Sequence, residues 1–140
     1  MYRNVLYYIC IATVFLLASC GNIEVRNEEI ALEAAKNYYT LLLQGNYKTY
    51  IDGTLHGDSI DEDYRKQLLQ NAEMFIETQQ QEHQGIDSIE AIRATCDTIT
   101  LQDGSTICTA NAFLGISYGD KTKEEIVVPM IKKGDIWYLR

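Results

Sequence analysis

Hydrophobic periodicity changes once along this chain, after Gly85, and nothing else in the sequence constrains its architecture as tightly. Upstream, Ala31, Ala34, Ala35, Tyr38, Leu41 and Leu42 recur every three or four residues, which lays one apolar stripe along a helix. Tyr64, Leu68, Ala72, Phe75 and Ile76 repeat the pattern in a second helix. Downstream, Ile86 to Leu101 and Thr106 to Tyr118 are rich in Ile, Thr and Ala, and Asp103-Gly104 between them signals a hairpin turn. Gly119-Asp120-Lys121 turns into Glu125 to Ile131, and Lys133-Gly134-Asp135 turns into Ile136 to Leu139. Helices first and then an antiparallel meander of about four strands make an α+β domain, its helices packed on one face of the sheet.

Local signals refine the boundaries. Glu28 and Glu29 suit the positive end of a helix dipole, with Asn27 as its N-cap, and Gly45 ends that helix in the left-handed conformation. Asn46 to Asp52 forms a further short helix carrying Tyr47, Tyr50 and Ile51. Ser59-Ile60-Asp61-Glu62 matches a capping box for the next helix, whose polar end, Gln79 to Gln84, stops at Gly85.

Ala35-Lys36-Asn37-Tyr38-Tyr39 with Gln44-Gly45-Asn46-Tyr47, and the closing Lys133-Gly134-Asp135-Ile136-Trp137-Tyr138, resemble the opening and closing signatures of nuclear transport factor 2-like (cystatin-like) lipoproteins. The resemblance spans roughly residues 28–140. It implies a curved sheet wrapped against the long helix to form a cone with an apolar cavity. Tyr38, Tyr50, Tyr64, Phe75, Tyr118 and Trp137 are the candidate lining residues, although the same rings, with Tyr47, Phe113 and Tyr138, would equally fill a core. Catalytic members of that group use an Asp, His or Tyr in the cavity. No motif here carries such a residue over.

The amino terminus is a separate problem. Met1 to Asn4 contains one arginine, and Val5 to Leu17 is an apolar run broken only by Thr13. Leu17-Ala18-Ser19-Cys20 follows and resembles the lipobox of bacterial lipoproteins. Small residues at Ala18 and Ser19 let extended backbone enter a signal peptidase, and the Cys20 sulfur takes up diacylglycerol. The organisation expected is a signal peptide over residues 1–19, a lipidated tether over 20–27 and the α+β domain over 28–140. An uncleaved membrane helix is the competing reading, since Asn4 to Ile23 is uncharged. Residues Val5 to Cys20 would span about 24 Å as a helix, short of a core of about 30 Å. Gly21 after the lipobox, in place of the aspartate common in inner-membrane lipoproteins, favours the outer membrane. Asn22 to Arg26 lacks the acidic run that marks surface export in some lineages, which favours the periplasmic side.

Charge and cysteine usage narrow the function. The chain has twelve basic and twenty acidic residues, and removing Arg3 with the signal leaves about −9 (eleven against twenty), which argues against nucleic-acid phosphate-backbone binding. His56-Gly57-Asp58 with Asp52 is the one local cluster of acid–base type, but it lies in a polar interhelical loop where such groups face water. His83, in a Gln/Glu-rich helix end, is expected to be exposed. No zinc spacing, phosphate-binding glycine loop or nucleophile elbow occurs, so no metal or cofactor is expected. A two-residue Asp103-Gly104 turn would place Cys96 and Cys108 on opposite faces and favour two thiols over a disulfide. A three-residue loop would return them to one face, diagonally placed. The expected protein is a membrane-anchored, non-catalytic binding or accessory module for a small apolar ligand or an envelope protein. A cavity enzyme of isomerase or dehydratase type using His56, Asp52 and a tyrosine, and an inhibitor or immunity-type surface protein, are the alternatives.

Overall fold

The computed structural model describes residues 19–140, with side chains from Val25 onward. Three helices, α1 (Ser19–Leu43), α2 (Tyr47–Asp52) and α3 (Glu62–His83), precede four strands, β1 (Ile86–Thr100), β2 (Thr106–Tyr118), β3 (Lys123–Lys133) and β4 (Ile136–Leu139). The strands form one antiparallel sheet in the order β1-β2-β3-β4. The α+β class and the meander are as the periodicity predicts. Leu17 and Ala18 of the lipobox-like sequence, with the rest of the expected signal peptide before Ser19, lie outside the described residues, and Ser19 and Cys20 form the start of α1. Among the described residues no helix is long and apolar enough to cross a membrane.

Helix α1 lies against the inner face of the sheet. Ala31 and Ala35 on its stripe have no exposed surface and share one cluster with Ala110, Ala112 and Leu114 of β2, Val128 and Met130 of β3, and Trp137 and Leu139 of β4. Side chains that stop at Cβ on both elements let the helix approach the strands closely, and larger residues fill the flanks. Polar contacts pin the helix across the sheet. Glu28 accepts the Cys96 N–H (3.2 Å), Lys132 donates to the Asn27 carboxamide (3.1 Å), and the Tyr38 hydroxyl donates to the Trp137 carbonyl (2.9 Å). The Asn27 N-cap is therefore not formed. The helix runs on towards Ser19, and the Asn27 side chain serves β3 instead.

Other termini follow local chemistry. Gly45 (φ 78°) closes α1 in a Schellman motif, with Asn46 N–H bonding Leu41 O (2.9 Å) and Gly45 N–H bonding Leu42 O (3.1 Å). The N-cap of α3 is Asp61, which accepts the Tyr64 N–H at 2.9 Å, rather than Ser59. Ser59 instead donates to the His56 carbonyl (3.1 Å), so the chain enters the helix two residues later than the Ser-x-x-Glu pattern suggests.

The β1–β2 loop also differs by one residue from the expected turn. Thr100 pairs with Thr106, Leu101 N–H bonds Ser105 O (2.8 Å), and Gly104 (φ 83°) bonds back to Leu101 O (3.0 Å). This is a three-residue loop ending in a left-handed glycine. The shift puts Cys96 opposite Ala110 and Cys108 opposite Thr98. Both cysteines consequently pack against the core on the same face, one diagonal step apart, and Cys108 is a free thiol, so no disulfide joins them. Two register shifts, between Ile86 and Ser88 and between Ala91 and Arg93, bend β1.

Because Ala35 is fully buried while Ala34 is only partly so, the two positions should answer differently to added volume. Ala35→Leu should lower unfolding stability by about 1–3 kcal/mol, whereas Ala34→Leu should be nearly neutral. Urea midpoints at equal m-values would measure this. Equal tolerance at both positions would contradict the close seating of α1.

Candidate functional site

The three helices meet away from the sheet and leave a cleft between them. Helix α1 presents Tyr39 and Leu42, α2 presents Tyr50 and Ile51, and the chain after it adds Thr54. Helix α3 contributes Leu68, Asn71, Ala72 and Phe75, whose spacing of three and four residues places them on one face. The cleft, open to solvent on one side, has a volume of about 320 Å³. Leu42, Ile51 and Ala72 are buried and form its floor, while Phe75 stands half-exposed at the rim. No strand residue lines it.

Its polar groups are few. The Tyr39 and Tyr50 rings meet edge to face, with centroids 6.1 Å apart. Burial, then the neighbouring Tyr39, pushes Tyr50 up to about 12, and burial likewise raises Tyr39. Both phenols therefore stay protonated through the physiological range and act as hydrogen-bond groups, not as bases. Asn71 adds a carboxamide, and Thr54 donates its hydroxyl to Ile51 O (2.7 Å). Among the described residues no carboxylate, ammonium, guanidinium or imidazole lines the cleft. Such a site suits an apolar molecule positioned by one or two hydrogen bonds.

Of the six candidate lining residues, only Tyr50 and Phe75 lie here. Tyr38 packs beside Trp137 along a separate groove of about 370 Å³ next to the β3–β4 turn. Trp137 itself is 2% exposed and belongs to the core, and its indole N–H has no hydrogen-bond partner. Tyr64 is 50% exposed on α3. Tyr118 sits at the far end of β2. The cleft residues not anticipated are Tyr39, Leu42, Ile51, Thr54, Leu68, Asn71 and Ala72. The adjacent Tyr38-Tyr39 pair held the relevant signal, because neighbouring helical side chains point about 100° apart and so serve different partners.

The His56-Gly57-Asp58 loop is not part of the cleft. His56 and Asp58 are exposed, and Asp52 is bound by Arg65, which also donates to the Gly57 carbonyl. Among the described residues no group of three His, Cys, Asp or Glu side chains is placed to hold a metal.

His83, by contrast, is not the free surface residue its surroundings in the sequence suggest. Its ring stacks on Tyr118 (4.5 Å between centroids, 27° between planes), and Nδ1 lies 3.0 Å from Asp120 Oδ2. The β2–β3 turn folds back onto the end of α3, with Asp120 N–H bonding His83 O (2.9 Å) and Gly119 N–H bonding Gly85 O (2.9 Å). Hydrogen bonds from Thr122, then His83, hold the Asp120 carboxyl down to about 2. Burial, then donation to Glu124 (2.7 Å), raises Tyr118 to about 12. This cluster clasps α3 to the sheet.

Among solved structures the chain is similar to a protein from Campylobacter jejuni provisionally named an NTF2-like transpeptidase. The TM-score is 0.54, the match covers 76% of this chain and 94% of that one, and identity is 14%. The fold is NTF2-like. At that identity the likeness is one of fold alone. No family model matches the sequence, and no curated protein does. In this NTF2-like domain the space between α1 and the sheet is occupied by Leu114, Met130 and Trp137, so the cleft opens among the helices instead.

Tyr50 and Tyr118 give the domain an alkaline signature. Both are raised from 10.0 to about 12 in the folded state, so their contribution to stability is complete below pH 10 and is lost as pH rises through 12. Phenolate absorbance should place Tyr50 and Tyr118 in a late step near pH 12. Tyr50→Phe and Tyr118→Phe should each reduce that step by one tyrosine. A late step of unchanged size in either variant would refute that residue's assigned environment.

Proposed function

We propose that this chain is a lipid-anchored envelope protein whose NTF2-like domain is a non-catalytic binding module. The observation that carries the binding role is the cleft of about 320 Å³, walled by apolar side chains and two protonated tyrosines. General acid–base catalysis near neutral pH is most efficient with a group that titrates there, and the lining has no carboxylate or imidazole. The residues that an isomerase or dehydratase reading would enlist, His56 and Asp52, stand outside it. A small molecule is thus the favoured occupant, with an envelope protein as the other partner class. The transpeptidase name of the Campylobacter jejuni structure belongs to that protein; this cleft has no serine or cysteine, and no base lines it to activate the Thr54 hydroxyl.

Anchoring rests on the sequence Leu17-Ala18-Ser19-Cys20. Two or three acyl chains on Cys20 would hold the protein stably, since one chain alone is marginal. Outer-membrane residence facing the periplasm follows from Gly21 and from the absence of an acidic run after it. The geometry of α1 suits such a placement. A continuous helix from Ser19 puts Tyr39 about 28 Å along its axis from Cys20, which would hold the cleft clear of lipid headgroups.

Cells expressing the protein should incorporate labelled palmitate into it, and the protein should partition with detergent-extracted membranes. Cys20→Ser should abolish the label and leave an unprocessed or soluble product. Retention in the detergent phase after Cys20→Ser, with no change in mass, would remove the lipid anchor from this reading.

A further inference from the structure

We infer that the cleft between α1, α2 and α3 takes an uncharged, ring-based molecule of roughly fifteen heavy atoms that carries a hydrogen-bond acceptor. The inference rests on the binding role proposed above and specifies its ligand. Charge is decided by the lining. All nine residues are uncharged, so an anion or cation entering the cleft would lose its hydration without meeting a counter-charge. Arg65 lies one turn before Leu68 on α3, but Asp52 and the Gly57 carbonyl already engage its guanidinium. The strongly acidic chain as a whole disfavours anions further.

Shape and polarity come from the walls. Leu42, Ile51, Leu68 and Ala72 give flat aliphatic surfaces, and Phe75 and Tyr39 offer ring faces or edges on which another ring packs well. Each tyrosine hydroxyl carries one donor proton, and at most one of the two can be spent on the other hydroxyl, so one O–H remains. That proton requires an acceptor on the ligand, such as a ketone, ether or amide oxygen. The Asn71 carboxamide adds a second polar point.

Three naphthalene probes separate these elements: 2-acetylnaphthalene, its near-isosteric anion 2-naphthoate, and 2-ethylnaphthalene, which lacks the acceptor. Binding to the full-length chain in micelles is read at the Ile51 and Leu68 methyls by NMR, with exposed Ile136 as the off-site control. The ketone should shift both cleft methyls saturably and leave Ile136 unmoved. The anion should bind at least about tenfold more weakly, and the hydrocarbon about two- to tenfold more weakly. In the Tyr39→Phe/Tyr50→Phe double variant the gap between ketone and hydrocarbon should close, while the anion stays excluded.

Naphthoate binding as tightly as the ketone, or a ketone preference that survives the double variant, would overturn the inference and leave the binding role standing. Failure of all three probes to move the cleft methyls of a folded protein would overturn the small-molecule role as well.

Discussion

The seating of α1 on the sheet through Ala31 and Ala35 is the contact from which the remaining geometry follows. Had the stripe carried leucines there, the helix would stand further from β2, and Ala110 and Ala112 would leave voids. Because it lies close, the bulky residues on either side, Leu114, Met130 and Trp137, fill the space that an NTF2-like cone could otherwise leave open. The same seating fixes the rotation of α1. Tyr38 then points at the edge strand, where its hydroxyl bonds the Trp137 carbonyl, and Tyr39 points at α2 and α3, where it walls the cleft. One helix thus braces the sheet with one tyrosine and walls the cleft with the next.

What could be read from the sequence was whatever depends on short-range patterning. The two long helices, the short α2, the left-handed Gly45 and the order of four strands all follow from period, caps and turns within a few residues. Failures occurred where two local solutions compete or where a distant partner decides. Ser59 and Asp61 are both good N-caps, and the engagement of Ser59 by His56 O leaves the role to Asp61. A two-residue and a three-residue loop both fit Asp103-Gly104. The choice of the longer one moves the register by one residue and so reverses the relation between Cys96 and Cys108. His83 looked like a solvated helix end because Tyr118 and Asp120, thirty-five and thirty-seven residues away, leave no trace near it.

The site was less legible than the fold for the same reason. Aromatic content suggests a cavity, but the six candidate rings occupy five environments: the cleft, the groove beside β4, the core, open solvent, and the clasp at the end of α3. Ring chemistry identifies what a residue can contribute, and only the rotation of each element decides where it does so. The cleft is marked instead by a combination spread over three elements, with Tyr39 and Tyr50 facing each other and the Leu68–Phe75 face closing over them.

Cleft and sheet are also mechanically linked, which bears on how a ligand would be felt by the domain. The strand β4 has only four residues and would be an open edge beyond β3. The segment after α2 covers it: Leu139 N–H bonds Gly53 O (2.8 Å), Leu55 N–H bonds Leu139 O (2.9 Å), and Tyr38 meets the Trp137 carbonyl. That segment carries Thr54, a cleft residue, and is tied to α3 by Arg65 through Asp52 and Gly57. Displacing α2 to widen the cleft would therefore strip the edge of β4 and strain the Arg65 contacts together. The α3 wall has no comparable tie along Leu68 to Phe75, being held mainly at its ends by Arg65 and by the His83–Asp120 clasp. Any widening of the cleft would therefore disturb fewer of these bonds at the middle of α3 than on the α1–α2 side, where the two tyrosines stand.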